Sequence, residues 1–248
     1  MPRCSKPGPG PTCLGVVKHP AIGIRLPELL LPGILSGYRE RDVAGGLMLS
    51  FGRETAPQAV IDAPPGTWEI TRGHTGTSIR QYQTRGAEAA REAGVTVEIE
   101  ADHLIIIGSA TAAVQRIAGY HAESHISPEE LERSLQYNMM AIDEAAEVGV
   151  VGCFTTDPSD LFWLEADRRS AAQVRKLFEE RFDAAQRRRL LRRYREPRSF
   201  KAPGGKTVRV TISEVQAMRL ALKFQKSLEI NARIYEYCRE RLGGHPFS

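Results

Sequence analysis

Residues 95–107 read VTVEIEADHLIII. Val95, Val97, Ile99 and Ala101 recur at every second position, and beyond His103 the run is continuously apolar, which is the pattern of a buried strand ending near EADH. Upstream, residues 77–93 are rich in helix formers and Gly94 is the expected stop. Downstream, helical patterns are expected at about 109–120 and 128–147. The second opens with Ser127 as N-cap, Pro128 in the first turn and Glu129 and Glu130 behind it, and ends at Gly149. GVVGCFTT at 149–156 then reads as a short apolar strand, and DPSD as the turn at its exit. Strand alternating with helix predicts parallel βα units.

Further strands are expected at about 20–26, 46–52 and 207–212, with Ala59 to Ile61 as a sixth candidate. Five or six strands fall short of a closed (β/α)8 barrel, so the predicted fold is α/β, TIM-barrel-like and incomplete, with an open sheet. Residues 1–15, broken by Pro7, Gly8, Pro9, Gly10 and Pro11, read as a disordered tail before a single barrel-like domain at 16–248. Residues 167–195 form a long charged helical stretch, and Ser213 caps a final helix. In that helix Ala217, Leu220, Phe224, Leu228, Tyr235, Cys238 and Leu242 share a face. Later elements are too few to cover Leu220, Phe224, Leu228 and Tyr235, which predicts a homo-oligomer.

Composition narrows the function classes. With 42% hydrophobic and 26% charged residues over 248 positions, the chain has the make-up of a globular protein. Its apolar runs, such as Leu104 to Ile107, are far shorter than the ~18 residues of a membrane span. The Pro/Gly-broken N-terminus has no apolar signal core, which predicts a cytoplasmic protein with its four cysteines reduced. A net charge of +4 suits an acidic small molecule and does not by itself call for nucleic acid.

In parallel α/β folds, chemistry gathers at the carboxyl ends of strands. EADH places Glu100, Asp102 and His103 at one such end, and TTDPSD places Asp157 and Asp160 at another. Alternation sends Glu100 and Asp102 to one face and His103 to the other, unless the strand is already curling into its loop there. A carboxylate with an imidazole suits a divalent metal and proton transfer, and equally a hydrogen-bonded strand end. HAESHIS carries His121 and His125 four residues apart, but Ser127-Pro128 restarts the helix there, so it reads as a loop. His19, His74 and His245 are isolated and receive no role. The arginine run at 181–198 reads as a solvated helix face, the alternative being a surface for an anionic partner. No GxGxxG, P-loop or GxSxG is present.

Taken in order, AIGIRLPELLLPGI, VIDAPPGTWEI, EADHL, CFTTDPSDLF and the long segment ISEVQAMRLALKFQKSLEINARIYEYCRERL resemble the tagaturonate/fructuronate epimerase family, over about residues 21–242. These are metal-dependent sugar-acid epimerases with a barrel-like fold. The resemblance implies an isomerase acting on a ketohexuronate or a closely related ketose, with Asp102 as proton-accepting carboxylate and His103 as a ligand of a divalent metal cation. Arg25 and Asp157 would face the substrate. The family's later acidic strand and glutamate-histidine segment have no counterpart before Ser248, so the chain is expected to match the first part of such an enzyme, as a truncated or divergent member. The contrasting expectation is a non-catalytic barrel fragment that binds nucleic acid or protein through the arginine-rich helix.

Overall fold

The computed structural model describes residues 8–15, 19–24, 26–51, 54–68, 72–73, 75–108, 126–202 and 204–248. They fall into two units, residues 1–160 with 231–248, and residues 161–230. Arg25, the expected helix at 109–120 and the two histidines of HAESHIS lie outside the described residues.

The first unit is built on five strands, β1 (Gly10–Pro11), β2 (Ala21–Gly23), β3 (Gly45–Ser50), β4 (Thr96–Ile105) and β5 (Val151–Asp157). Every pairing among them is parallel. The order is β2-β3-β4-β5, with β1 beside the start of β4. Helices α1 (Pro27–Glu40), α2 (Gln58–Asp62), α3 (Ile79–Glu92) and α4 (Pro128–Val148) occupy the connections. The result is an α/β fold of the incomplete TIM-barrel-like kind.

Local sequence accounts for most helix starts. Ser78 and Ser127 each form a reciprocal capping box, with Gln81 and Glu130 respectively. Gly149 ends α4 in the left-handed conformation at φ 71°, where a Cβ would be strained. One sheet face packs Leu47, Leu49, Val97 and Ile99 against Leu31, Leu35 and Tyr38 of α1 and Tyr82, Ala87 and Ala90 of α3. Burying each large side chain there contributes about 1.5–3 kcal/mol, so Ile99→Ala would remove a substantial part of this cluster's stability. Alternation then turns Glu98, Glu100 and Asp102 to the opposite face of β4.

Membership of the sheet differs from the sequence expectation in three places. Gly10 and Pro11, read as disordered tail, pair with Thr96 and Val97, because Gly10 N–H and Thr12 N–H donate to the Val95 and Val97 carbonyls. Proline lacks a donor, but here it sits between the two residues that need one. Ala59 to Ile61 lie in α2 rather than in a strand. The 207–212 segment does not join the parallel sheet. It forms β7 (Thr207–Val210), antiparallel to β6 (Arg198–Lys201), a hairpin closed by the Gly204-Gly205 turn.

The second unit holds this hairpin, α5 (Ala171–Arg181), α6 (Ala184–Arg195) and the start of α7 (Glu214–Leu242). The expected single helix at 167–195 is broken at Phe182, because Asp183 accepts from the backbone N–H of Ala185 and Gln186 at 2.7 and 2.8 Å and starts a new helix. Val174, Phe178, Met218 and Leu222 form this unit's core. Ser213 caps α7 as expected, with Gln216. The buried face of α7 runs through Ala217, Met218, Leu222, Ile230, Ile234, Cys238 and Leu242, whereas Leu220, Leu228 and Tyr235 are exposed. No described helix is long and apolar enough to cross a membrane.

Candidate functional site

The exit of β4 is irregular. Ala101 pairs with Phe154 and Leu104 with Thr156, so Asp102 and His103 together face the single residue Thr155. The extra residue is accommodated by His103 in the left-handed region, at φ 57°. This is a β-bulge, and it re-aims a side chain. The strand has left regular alternation here, so Asp102 and His103 do not stay on opposite faces. His103 Nδ1 lies 2.7 Å from Asp102 Oδ2, without forming a hydrogen bond.

Thr155 holds the bulge. The His103 backbone N–H donates to its hydroxyl at 2.9 Å, and that hydroxyl donates to Asp102 Oδ1 at 2.9 Å. The exit of β4 is also anchored from outside: Ser134 of α4 exchanges hydrogen bonds with Ile107 N–H and the Ile105 carbonyl, and Asn138 donates to the same carbonyl at 2.8 Å. Asp102 is mostly enclosed and the His103 ring is partly exposed. Asp157 follows Thr155 on the same face of β5, roughly 7 Å along the strand. One of its oxygens accepts from Ser159 N–H at 3.3 Å and from the Ser159 hydroxyl, closing the turn out of β5. Asp102, His103, Thr155 and Asp157 thus share one strand-end region, and Thr155 is the member that the sequence reading did not single out.

A second group of ionisable residues lies deeper on the same face of β4. His19 Nε2 is 3.4 Å from Glu98 Oε2 and 3.8 Å from Glu100 Oε1. Ligand atoms of the three residues all lie within 4.8 Å of one another. Glu98 and Glu100 are 2% and 5% exposed. Burial, then the charge of Glu98, pushes the Glu100 carboxyl above the usual carboxylate range, with His19 opposing. The Tyr38 hydroxyl, which donates to the Gly46 carbonyl, is pushed up to about 12 by burial and by Glu100. No role was expected for His19. The available signal was Glu98 and Glu100 two residues apart in an otherwise apolar strand, where buried carboxylates are rare unless partnered.

In the second unit, Arg188, Arg189, Arg192 and Arg195 line a groove of about 790 Å³ with Tyr194, Ile212 and Glu214. Among the described residues these four arginines have no ion-pair partner, while Glu214 is held by Arg175 at 2.9 Å.

Fold and strand-end site together define an α/β protein of barrel type with its polar residues at the carboxyl ends of parallel strands. No family model and no curated protein matches the chain. Among solved structures it is similar to fructuronate-tagaturonate epimerase UxaE from Cohnella laeviribosi. The native form superposes with a TM-score of 0.56 at 17% identity, over 96% of this chain and 38% of that one. The form complexed with one glycerol gives 0.57 at 16%, again over 96% and 38%. The form with two glycerols gives 0.55 at 15%, over 95% and 38%. The likeness is one of fold, and the chain spans about two fifths of the length of these enzymes.

Proposed function

We propose that the chain is a sugar-acid epimerase acting on a ketohexuronate or a closely related ketose, with Asp102 as its proton-accepting carboxylate. The observation that supports this best is the Asp102 carboxylate, fixed by Thr155 at the carboxyl end of β4 and touching His103. Asp102 takes a proton at or near the carbinol carbon that is inverted, and inversion is completed by a proton delivered from the opposite face. A retro-aldol route would use the same carboxylate on the carbinol hydroxyl. His103 faces the substrate oxygens, and Asp157 and Arg25 are assigned to substrate binding.

The resemblance also implies a divalent metal at His103. Among the described residues, His103 has only Asp102 beside it, and His103 belongs to no group of three potential ligands. Two donors fall short of the three that a protein usually supplies to a catalytic ion, so no step is drawn through a metal there.

Incubating the protein with tagaturonate or fructuronate, with divalent metals added, and following interconversion by NMR tests the reading. Turnover that disappears in Asp102→Asn is expected. Absence of turnover in the unmodified chain, or full activity in Asp102→Asn, overturns it.

A second reading rests on α6. Its four groove-lining arginines, with no ion-pair partner among the described residues, suit an anionic macromolecule, as in a non-catalytic barrel fragment. Nucleic-acid retention that falls steeply between about 50 and 200 mM salt would favour it, and no retention at low salt would remove it.

A further inference from the structure

We infer that His19, Glu98 and Glu100 form a binding site for one divalent transition-metal ion of the zinc class, on the inner face of the sheet and separate from the Asp102 and His103 pair. Glu98, Glu100 and Asp102 are successive residues on one face of β4, each roughly 7 Å from the next, so the group sits toward the amino ends of the strands, away from the end where catalysis is proposed.

Three observations carry the inference beyond mere proximity. First, the two carboxylates are prepared differently. Glu98 Oε1 is occupied by the backbone N–H groups of Leu14 and Gly15, at 2.6 and 3.3 Å, which leaves Oε2 directed at His19. Glu100 Oε1 is fully enclosed, has no hydrogen-bond partner and stands 3.8 Å from the same imidazole nitrogen. A buried carboxylate oxygen without a donor is costly, and a cation is the partner that would satisfy it.

Second, the fold reserves the space. Gly46 lies beside Glu98 in the β3–β4 register, and a Cβ there would stand 1.9 Å from Glu100 Oε1 and 2.8 Å from the Cβ of Ala21. Only glycine leaves room for the Glu100 carboxylate where it is.

Third, the donor set has a chemical preference. Two ligand atoms of one tetrahedral ion bound at ~2.0–2.2 Å lie about 3.3–3.6 Å apart; His19 Nε2 stands 3.4 Å from Glu98 and 3.8 Å from Glu100, near that spacing. An imidazole with two carboxylates selects zinc-class ions over magnesium or calcium, which favour all-oxygen shells. The thiols of Cys13 and Cys153 border the group: burial and the charge of Glu98 raise both, and Glu100 also acts on Cys153.

The test uses the full chain, stripped with chelator and titrated with zinc chloride, with stoichiometry from calorimetry and elemental analysis and with Tm as an independent readout. One equivalent per chain and a raised Tm are expected. Loss of a group that only hydrogen-bonds a ligand costs about 10–100-fold in metal affinity, so losing a ligand in His19→Gln or Glu100→Gln should weaken binding about 100-fold or more, with His103→Ala unaffected. If either ligand variant does not fold, the cobalt(II) form of the unmodified chain reports the site by its intense tetrahedral d–d bands, with a thiolate charge-transfer band if a cysteine joins. No zinc uptake by the unmodified chain, uptake unchanged in the ligand variants, or loss only in His103→Ala would overturn the inference. Because none of these readouts uses turnover, a failed epimerase assay leaves the result intact.

Discussion

Asp102 and His103 are consecutive in one strand, yet the Asp102 carboxylate and the His103 imidazole meet at 2.7 Å. A regular strand would hold them on opposite faces. The left-handed backbone of His103 and the two hydrogen bonds to Thr155 turn that separation into contact.

Thr155→Val keeps the shape of the side chain and removes both hydrogen bonds. It leaves the His103 N–H without its acceptor, which should destabilise the chain by about 1–3 kcal/mol in urea unfolding. In the epimerase assay kcat should fall more than KM rises, because the loss is in the placement of Asp102. Thr155→Ser should restore most of both.

The backbone at His103 separates strain from side-chain chemistry. Glycine adopts φ 57° without a Cβ penalty, so His103→Gly should be more stable than His103→Ala by about 1 kcal/mol. Equal stabilities in urea would show that the bulge relaxes when the imidazole is lost.

Gly46→Ala forces a Cβ against Glu100, and overpacking of this kind costs about 1–3 kcal/mol. Combined with Glu100→Ala the cost should shrink, leaving the contact with Ala21. A double-mutant cycle by chemical denaturation measures the coupling, and additive effects would place the clash elsewhere.

In chelator, Glu100 should make stability fall with rising pH. Its folded pKa is raised, so the folded state binds more protons; its contribution is complete below the unfolded carboxylate value and is lost as pH rises through the higher folded value. Glu100→Gln should flatten this slope and melt a few degrees higher than the parent at neutral pH, when both are metal-free. Added zinc should reverse the order, since only the parent gains from binding. Thermal melts across pH 4–8, taken as a range of roughly four units around the carboxylate region, check both parts.

Leu228 and Tyr235 lie seven residues apart on α7 and are 59% and 57% exposed. We propose that the chain self-associates through this row. Light scattering at micromolar concentration should show a species larger than a monomer, and Leu228→Lys with Tyr235→Lys should convert it to monomer. A stable monomer of the parent chain would contradict this.

Much of the architecture is written locally. The alternation of 95–107, the serine caps at Ser78 and Ser127 and the stop at Gly149 are decided by residues a few positions apart, so the order of the central strands and helices is readable from the chain alone. Polar residues at the exits of β4 and β5 follow from the same reading. Other features depend on partners distant in sequence. Gly10 and Pro11 become a strand because β4 offers carbonyls about 85 residues later in the chain, at a spacing no local pattern reveals. The 207–210 strand takes an antiparallel neighbour instead of joining the parallel sheet. His19 acquires partners only when Glu98 and Glu100 are folded against it, and His103 meets Asp102 only because Thr155, in the next strand, stabilises a bulge. Backbone periodicity sets which residues a strand can present; the register between strands decides which of them touch.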